Sequence, residues 1–97
     1  MQFLVRIQVD LPASLPEDER SKLLAGELRR GRELRDSGAI VSIWRVPGPP
    51  LRNVGIWEAA DATELHELLA SLPLFAFINA EVTPLAQHPI NAGDEGD

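Results

Sequence analysis

Apolar and polar side chains alternate at the start of the chain: Phe3, Val5, Ile7 and Val9 stand between Gln2, Leu4, Arg6, Gln8 and Asp10. A period of two is that of a strand with one buried face, and Pro12 ends it. The period then lengthens. Leu23, Leu24, Leu28 and Leu34 recur at helical offsets in a charged stretch, which predicts a helix over 16–37. Ser14 is placed to cap it with Glu17 reaching back, and Glu17, Asp18 and Glu19 suit the positive end of the helix dipole. Gly38 suits the position just past its end, where positive φ is common. Residues 39–46 are β-branched and aromatic enough for a second strand, the Pro47-Gly48-Pro49-Pro50 run must turn, and 53–59 returns as a third strand. Asp61, with Glu64 three residues on, predicts the start of a second helix that carries Leu65, Leu68, Leu69 and Leu72 on one side and stops at Pro73. A fourth strand is expected over 75–83.

The order β-α-β-β-α-β is that of a ferredoxin-like α+β domain, one antiparallel sheet with both helices on one face. A single domain over 1–90 is expected, followed by an acidic, mobile tail at 91–97. In such a fold the free face of the sheet is often half apolar, and a second copy would cover it, as in a dimeric α+β barrel. The fold by itself does not choose a function.

Composition narrows the chemistry. With no cysteine among 97 residues there is no disulfide, thiolate ligand or thiol nucleophile. His66 and His88 are far apart and show no ligand spacing with carboxylates, so no metal site is expected. The net charge of −6 argues against nucleic acid and anionic membranes as partners. The arginines at 29, 30, 32 and 35 alternate with Glu27, Glu33 and Asp36, the pattern of a solvated helix face. No apolar run is long enough to span a bilayer. The alternating opening segment also lacks a signal peptide's continuous apolar core, so a cytoplasmic location is expected.

Glu27 is the most informative polar residue. It lies four after Leu23 and three after Leu24, which puts its carboxylate beside the apolar stripe, and Gly31 one turn on leaves room next to it. In a partly dry pocket a carboxylate holds its proton more tightly, which suits a general base near neutrality; the plainer reading is a surface pair with Arg30. Neighbours on a strand face opposite ways, so if Trp44 enters the core Arg45 takes the other face, to hold a substrate carboxylate or an ion pair between subunits. Asn53 can hydrogen-bond a carbonyl or simply satisfy its own turn. His66 reads as a helix-surface histidine and His88 as an anchor for the terminal segment; Ser21, Ser42 and Ser71 have no triad partners, and no glycine-rich phosphate loop exists.

Particular strings carry a resemblance. LHELLASLPLF at 65–75 resembles the second-helix segment of muconolactone isomerases, and EVTPLAQHP at 81–89 is similar to their last strand and tail. Gly38 followed by IWRVPG at 43–48, and FLVRIQV at 3–9, also fit, so the resemblance covers about residues 1–90. It implies a ferredoxin-like subunit that forms dimers and then a decamer. It implies conversion of muconolactone to the 3-oxoadipate enol-lactone, in the catechol branch of aromatic degradation, without metal or organic cofactor. That reaction is a 1,3 proton shift, which needs a carboxylate base, donors for the developing dienolate oxygen and a cation for the side-chain carboxylate. Glu27 falls on the family's helix-one glutamate, and Arg45 and Asn53 match the pattern. Two features depart from it. Leu28 stands where family members commonly have lysine, and Pro49-Pro50-Leu51-Arg52 replaces a His-Tyr-type loop, with one residue inserted. Arg52 is a candidate to replace the lost charge from another direction. Two alternatives stay open: a non-catalytic ligand-binding or assembly paralogue, and a cofactorless monooxygenase of the dimeric α+β barrel type, which Trp44 and Trp57 would allow.

Overall fold

A computed structural model describes residues 1–92. Its strands are β1 (Gln2–Val9), β2 (Ile40–Val46), β3 (Leu51–Glu58) and β4 (Ile78–Leu85), and its helices are α1 (Glu17–Asp36) and α2 (Ala62–Ala70). The sheet order is β2-β3-β1-β4, with every neighbouring pair antiparallel. This is the expected ferredoxin-like arrangement.

The alternation of β1 sends Phe3, Val5, Ile7 and Val9 to one face, where all four are buried. Leu34 of α1 and Leu65 and Leu69 of α2 share that core, so both helices cover the same side. Cross-strand partners point the same way. The register Phe3↔Trp57, Val5↔Gly55 and Ile7↔Asn53 therefore assigns Trp57, Gly55 and Asn53 to the helix side.

The β2–β3 pair departs from simple alternation. Its register shifts between Ile40↔Trp57 and Ser42↔Ile56, which makes Val41 an extra residue on β2. Such a bulge reverses the parity of every position beyond it. Ile43 and Arg45 consequently join the helix side through Ile43↔Gly55 and Arg45↔Asn53, whereas Trp44 turns to the free face and is 58% exposed. Trp44 is thus not a core residue, and Arg45 points the opposite way from the one that simple alternation with a core Trp44 would give. Gly55 makes the bulge possible, because a Cβ there would lie 2.7 Å from the Ser42 carbonyl oxygen.

The helix ends also differ from expectation. Ser14 caps nothing; it sits in a turn closed by the Leu15 N–H donating to the Pro12 carbonyl at 3.1 Å, and α1 begins after Pro16 without a side-chain cap. Pro16 disfavours helical geometry at the residue before it, which pushes the start downstream. Of the α1 leucines only Leu34 is buried; Leu24 and Leu28 are exposed, so the apolar stripe is thinner than its spacing implies. At α2 the cap is as expected: Asp61 Oδ1 accepts from the Glu64 N–H at 2.8 Å, and the Glu64 carboxylate accepts from the Ala60 N–H at 3.0 Å. Asp61→Ala should cost about 1 kcal/mol of stability, readable in urea melts.

Phe75–Phe77 forms a short 3₁₀ turn, and β4 starts only at Ile78, three residues later than the strand expected from 75. Leu72 and Leu74 are buried in this connection, and the turn lets both reach the core. Pro89–Ala92 makes a second 3₁₀ turn, in which the Ile90 N–H donates to His88 Nδ1 at 3.0 Å. The rest of the expected tail, from residue 93, lies outside the described residues. Among the described residues no helix is long and apolar enough to cross a membrane.

Candidate functional site

The elements leave a cavity of about 440 Å³ between α1 and the β2–β3 part of the sheet. That lies within the ~300–1,000 Å³ typical of small-molecule sites. Glu27, Arg45 and Asn53, the residues singled out as base, cation and hydrogen-bonding amide, all line it. Ile7, Ile40, Trp57 and Leu72 supply apolar wall.

Glu27 reaches the cavity because α1 lies across the edge strand β2 and carries no side chain at Gly31. A Cβ there would meet nothing within 4 Å, so the space beside the carboxylate is open. Glu27 does not pair with Arg30, which bonds Glu33 at 3.1 Å and Ser71 Oγ at 3.0 Å. Instead Glu27 Oε1 accepts the Leu74 N–H at 3.0 Å. Two contacts from one side of α1, Arg30 to Ser71 and Glu27 to Leu74, thus tie it to the chain leaving α2. Burial raises the Glu27 pKa above the ordinary 4.5, and the Leu74 hydrogen bond offsets part of that rise. A carboxylate held by one N–H in a partly dry wall keeps acceptor capacity for a carbon-bound proton.

Arg45 makes no ion pair among the described residues. Asn53 belongs to β3 rather than to the turn, and its Oδ1 is buried without a hydrogen-bond partner. The indole Nε1 of Trp57 is buried and unpartnered as well. An unsatisfied donor and acceptor beside one cavity are unusual, since buried polar groups are nearly always paired.

Arg52 is not brought to this space. It precedes Asn53 on a strand and so faces the other side of the sheet, where it lines a separate cavity of about 230 Å³ with Arg6, Gln8, Asn79 and Glu81. His66 and His88 also lie elsewhere: His66 packs its ring edge-on against Phe75, 5.8 Å between centroids, and His88 bonds its own terminal segment. Among the described residues no three His, Cys, Asp or Glu side chains cluster to hold a metal. Two features were missed from the sequence. The Leu74 N–H is a backbone group with no sequence signal. Arg32 lines the cavity although its neighbours Arg30 and Arg35 do pair with Glu33 and Asp36, as a solvated helix face should.

Known proteins align with this chain over nearly its full length. A family model described as muconolactone delta-isomerase matches residues 1–91. The muconolactone delta-isomerase of Rhodococcus opacus is 40% identical over 86 residues, 89% of this chain and 91% of the relative. Muconolactone delta-isomerase 1 of Acinetobacter lwoffii is 36% identical over 95 residues, 98% of both chains. The crystal structure of a muconolactone isomerase superposes with a TM-score of 0.84 at 30% identity, covering 92% of each chain. A 5-chloro-2-hydroxyhydroquinone dehydrochlorinase from Burkholderia phenoliruptrix shares the fold at 20% identity and a TM-score of 0.66, covering 91% of this chain and 96% of that one. The chain therefore belongs to the muconolactone delta-isomerase family and is an isomerase.

Proposed function

We propose that the chain catalyses a 1,3 proton shift on muconolactone or a related small lactone acid, with Glu27 as the general base. The observation that carries this is the Glu27 carboxylate, half-buried in the wall of a ligand-sized cavity, hydrogen-bonded once and with its pKa raised. Glu27 takes a proton from the ring carbon next to the lactone system. The electron pair of that C–H bond moves into the conjugated system, and negative charge collects on the lactone oxygen. The Asn53 amide, turned to present its N–H₂, donates to that oxygen, and Arg45 pairs with the substrate's side-chain carboxylate. Protonated Glu27 then returns the proton at the other carbon, so no redox change occurs and no atom is gained or lost. Arg52, on the opposite face, takes no part.

The related names support muconolactone as the first substrate to try. Its turnover by the purified protein, followed in the ultraviolet, is the test; a folded protein that leaves muconolactone unchanged removes the substrate assignment. A non-catalytic paralogue would present Glu27 to bulk water, and its half-buried, hydrogen-bonded state favours the enzyme.

The same reading places the enzyme in the cytoplasm, in aromatic-compound degradation, and in a homo-oligomer built from dimers up to a decamer. Exposed Trp44 on the free face of the sheet supports self-association.

A further inference from the structure

Around the cavity the charges are unevenly distributed. Among the described residues Glu27 is its one acidic lining residue, and Arg32, Arg35 and Arg45 are its cations. An anionic substrate approaching an ionised base is repelled unless a cation offsets that charge. The three arginines are not equivalent. Arg35 donates both Nε–H and an Nη–H to Asp36 Oδ1, at 3.2 and 3.1 Å, and is thereby occupied. Arg32 and Arg45 have no ion pair among the described residues.

Their positions differ too. Arg45 rises from β2, the edge strand of the sheet, and Arg32 stands on α1, the helix that crosses it. Arg32 lies one turn beyond Leu28, so the two share the outer rim of the cavity, beyond the gap left by Gly31. Leu28 is exposed and carries no polar group, so on this rim Arg32 is the group able to bind an anion.

We infer that Arg32 is a specificity-determining residue: with Arg45 on the opposite wall it brackets the carboxylate of the substrate and selects acids over their neutral counterparts. This rests on the assignment of the Glu27 cavity as the substrate site, but not on Glu27 acting as the base. Guanidinium and carboxylate match in planar, two-point geometry, which a glutamine cannot reproduce and a lysine reproduces in charge alone.

The test uses binding, so that it is independent of turnover. The probes are the saturated γ-lactone acetic acid, which has no ring double bond to isomerise, and its methyl ester, titrated calorimetrically into wild type, Arg32→Gln, Arg32→Lys and Arg29→Gln. Arg29 is on the same helix but does not line the cavity. Wild type should prefer the acid. Arg32→Gln should bind the acid about tenfold more weakly and the ester unchanged, Arg32→Lys should recover much of the loss, and Arg29→Gln should match wild type. With a turned-over substrate the same loss appears in KM with kcat nearly unchanged. The proposal is overturned if wild type does not prefer the acid, if Arg32→Gln binds it as tightly as wild type, or if acid and ester weaken equally. An acid-selective loss in Arg32→Gln alongside full activity in Glu27→Gln would reject the base and keep Arg32.

Discussion

Glu27→Gln should lower kcat by about 10³-fold, within the ~10²–10⁴ that a positioned general base contributes, while KM changes little. Glutamine keeps an oxygen for the Leu74 N–H, so the tie between α1 and the chain after α2 survives and the loss reports chemistry. The pH behaviour separates this from a structural effect. Wild-type kcat/KM should rise with pH through the Glu27 pKa, which lies above 4.5, because the base works ionised. For stability the sign is opposite. Burial raises the folded-state pKa, so the contribution of Glu27 is fully present below its unfolded value and is lost as pH rises through the folded one. Glu27→Gln should therefore gain on wild type in thermal stability between about pH 4.5 and neutrality, and the gap should close in acid. Unchanged activity in this variant would remove Glu27 as base.

Gly55→Val is expected to destabilise the protein by about 1–3 kcal/mol, the usual cost of forcing atoms into a packed site. Its Cβ would lie 2.7 Å from the Ser42 carbonyl oxygen and 3.3 Å from the Ile43 side chain. The first of these contacts is backbone and cannot rotate away, so β2 must shift against β3. The consequence reaches the site, because the bulge at Val41 is what turns Arg45 toward Glu27. The destabilisation should appear in denaturant midpoints, and the folded fraction should show raised KM for an anionic substrate. A variant with wild-type stability and KM would show that the bulge does not depend on a missing side chain.

Much of this architecture is written locally. The two-residue period of β1, the Asp61–Glu64 cap and the leucines of α2 each act over one or two turns, which is why the element order and the buried face of β1 could be read directly from the residues. The pairing of Glu27 with an empty position at Gly31 is local in the same sense, since both follow from helical spacing. The shift of β4 to Ile78 is less local: burying Leu72 and Leu74 takes the connection into a turn before the strand can begin.

Strand parity is a different matter. From residues alone, simple alternation along β2 puts Trp44 and Arg45 on opposite faces, with Arg45 away from the core if Trp44 enters it. A single extra residue at Val41, tolerated because Gly55 lies across from it, reverses that order and delivers Arg45 to the cavity. Tertiary structure alone also supplied the Leu74 N–H for Glu27 and brought Arg32 to the rim. The amino-acid sequence by itself determined which elements form and the family, and it singled out Glu27 as the acid to test, because these depend on periodicity and on residue identity. Which groups surround that acid was decided only by the fold, because cross-strand register and helix–strand contact join residues far apart in the chain.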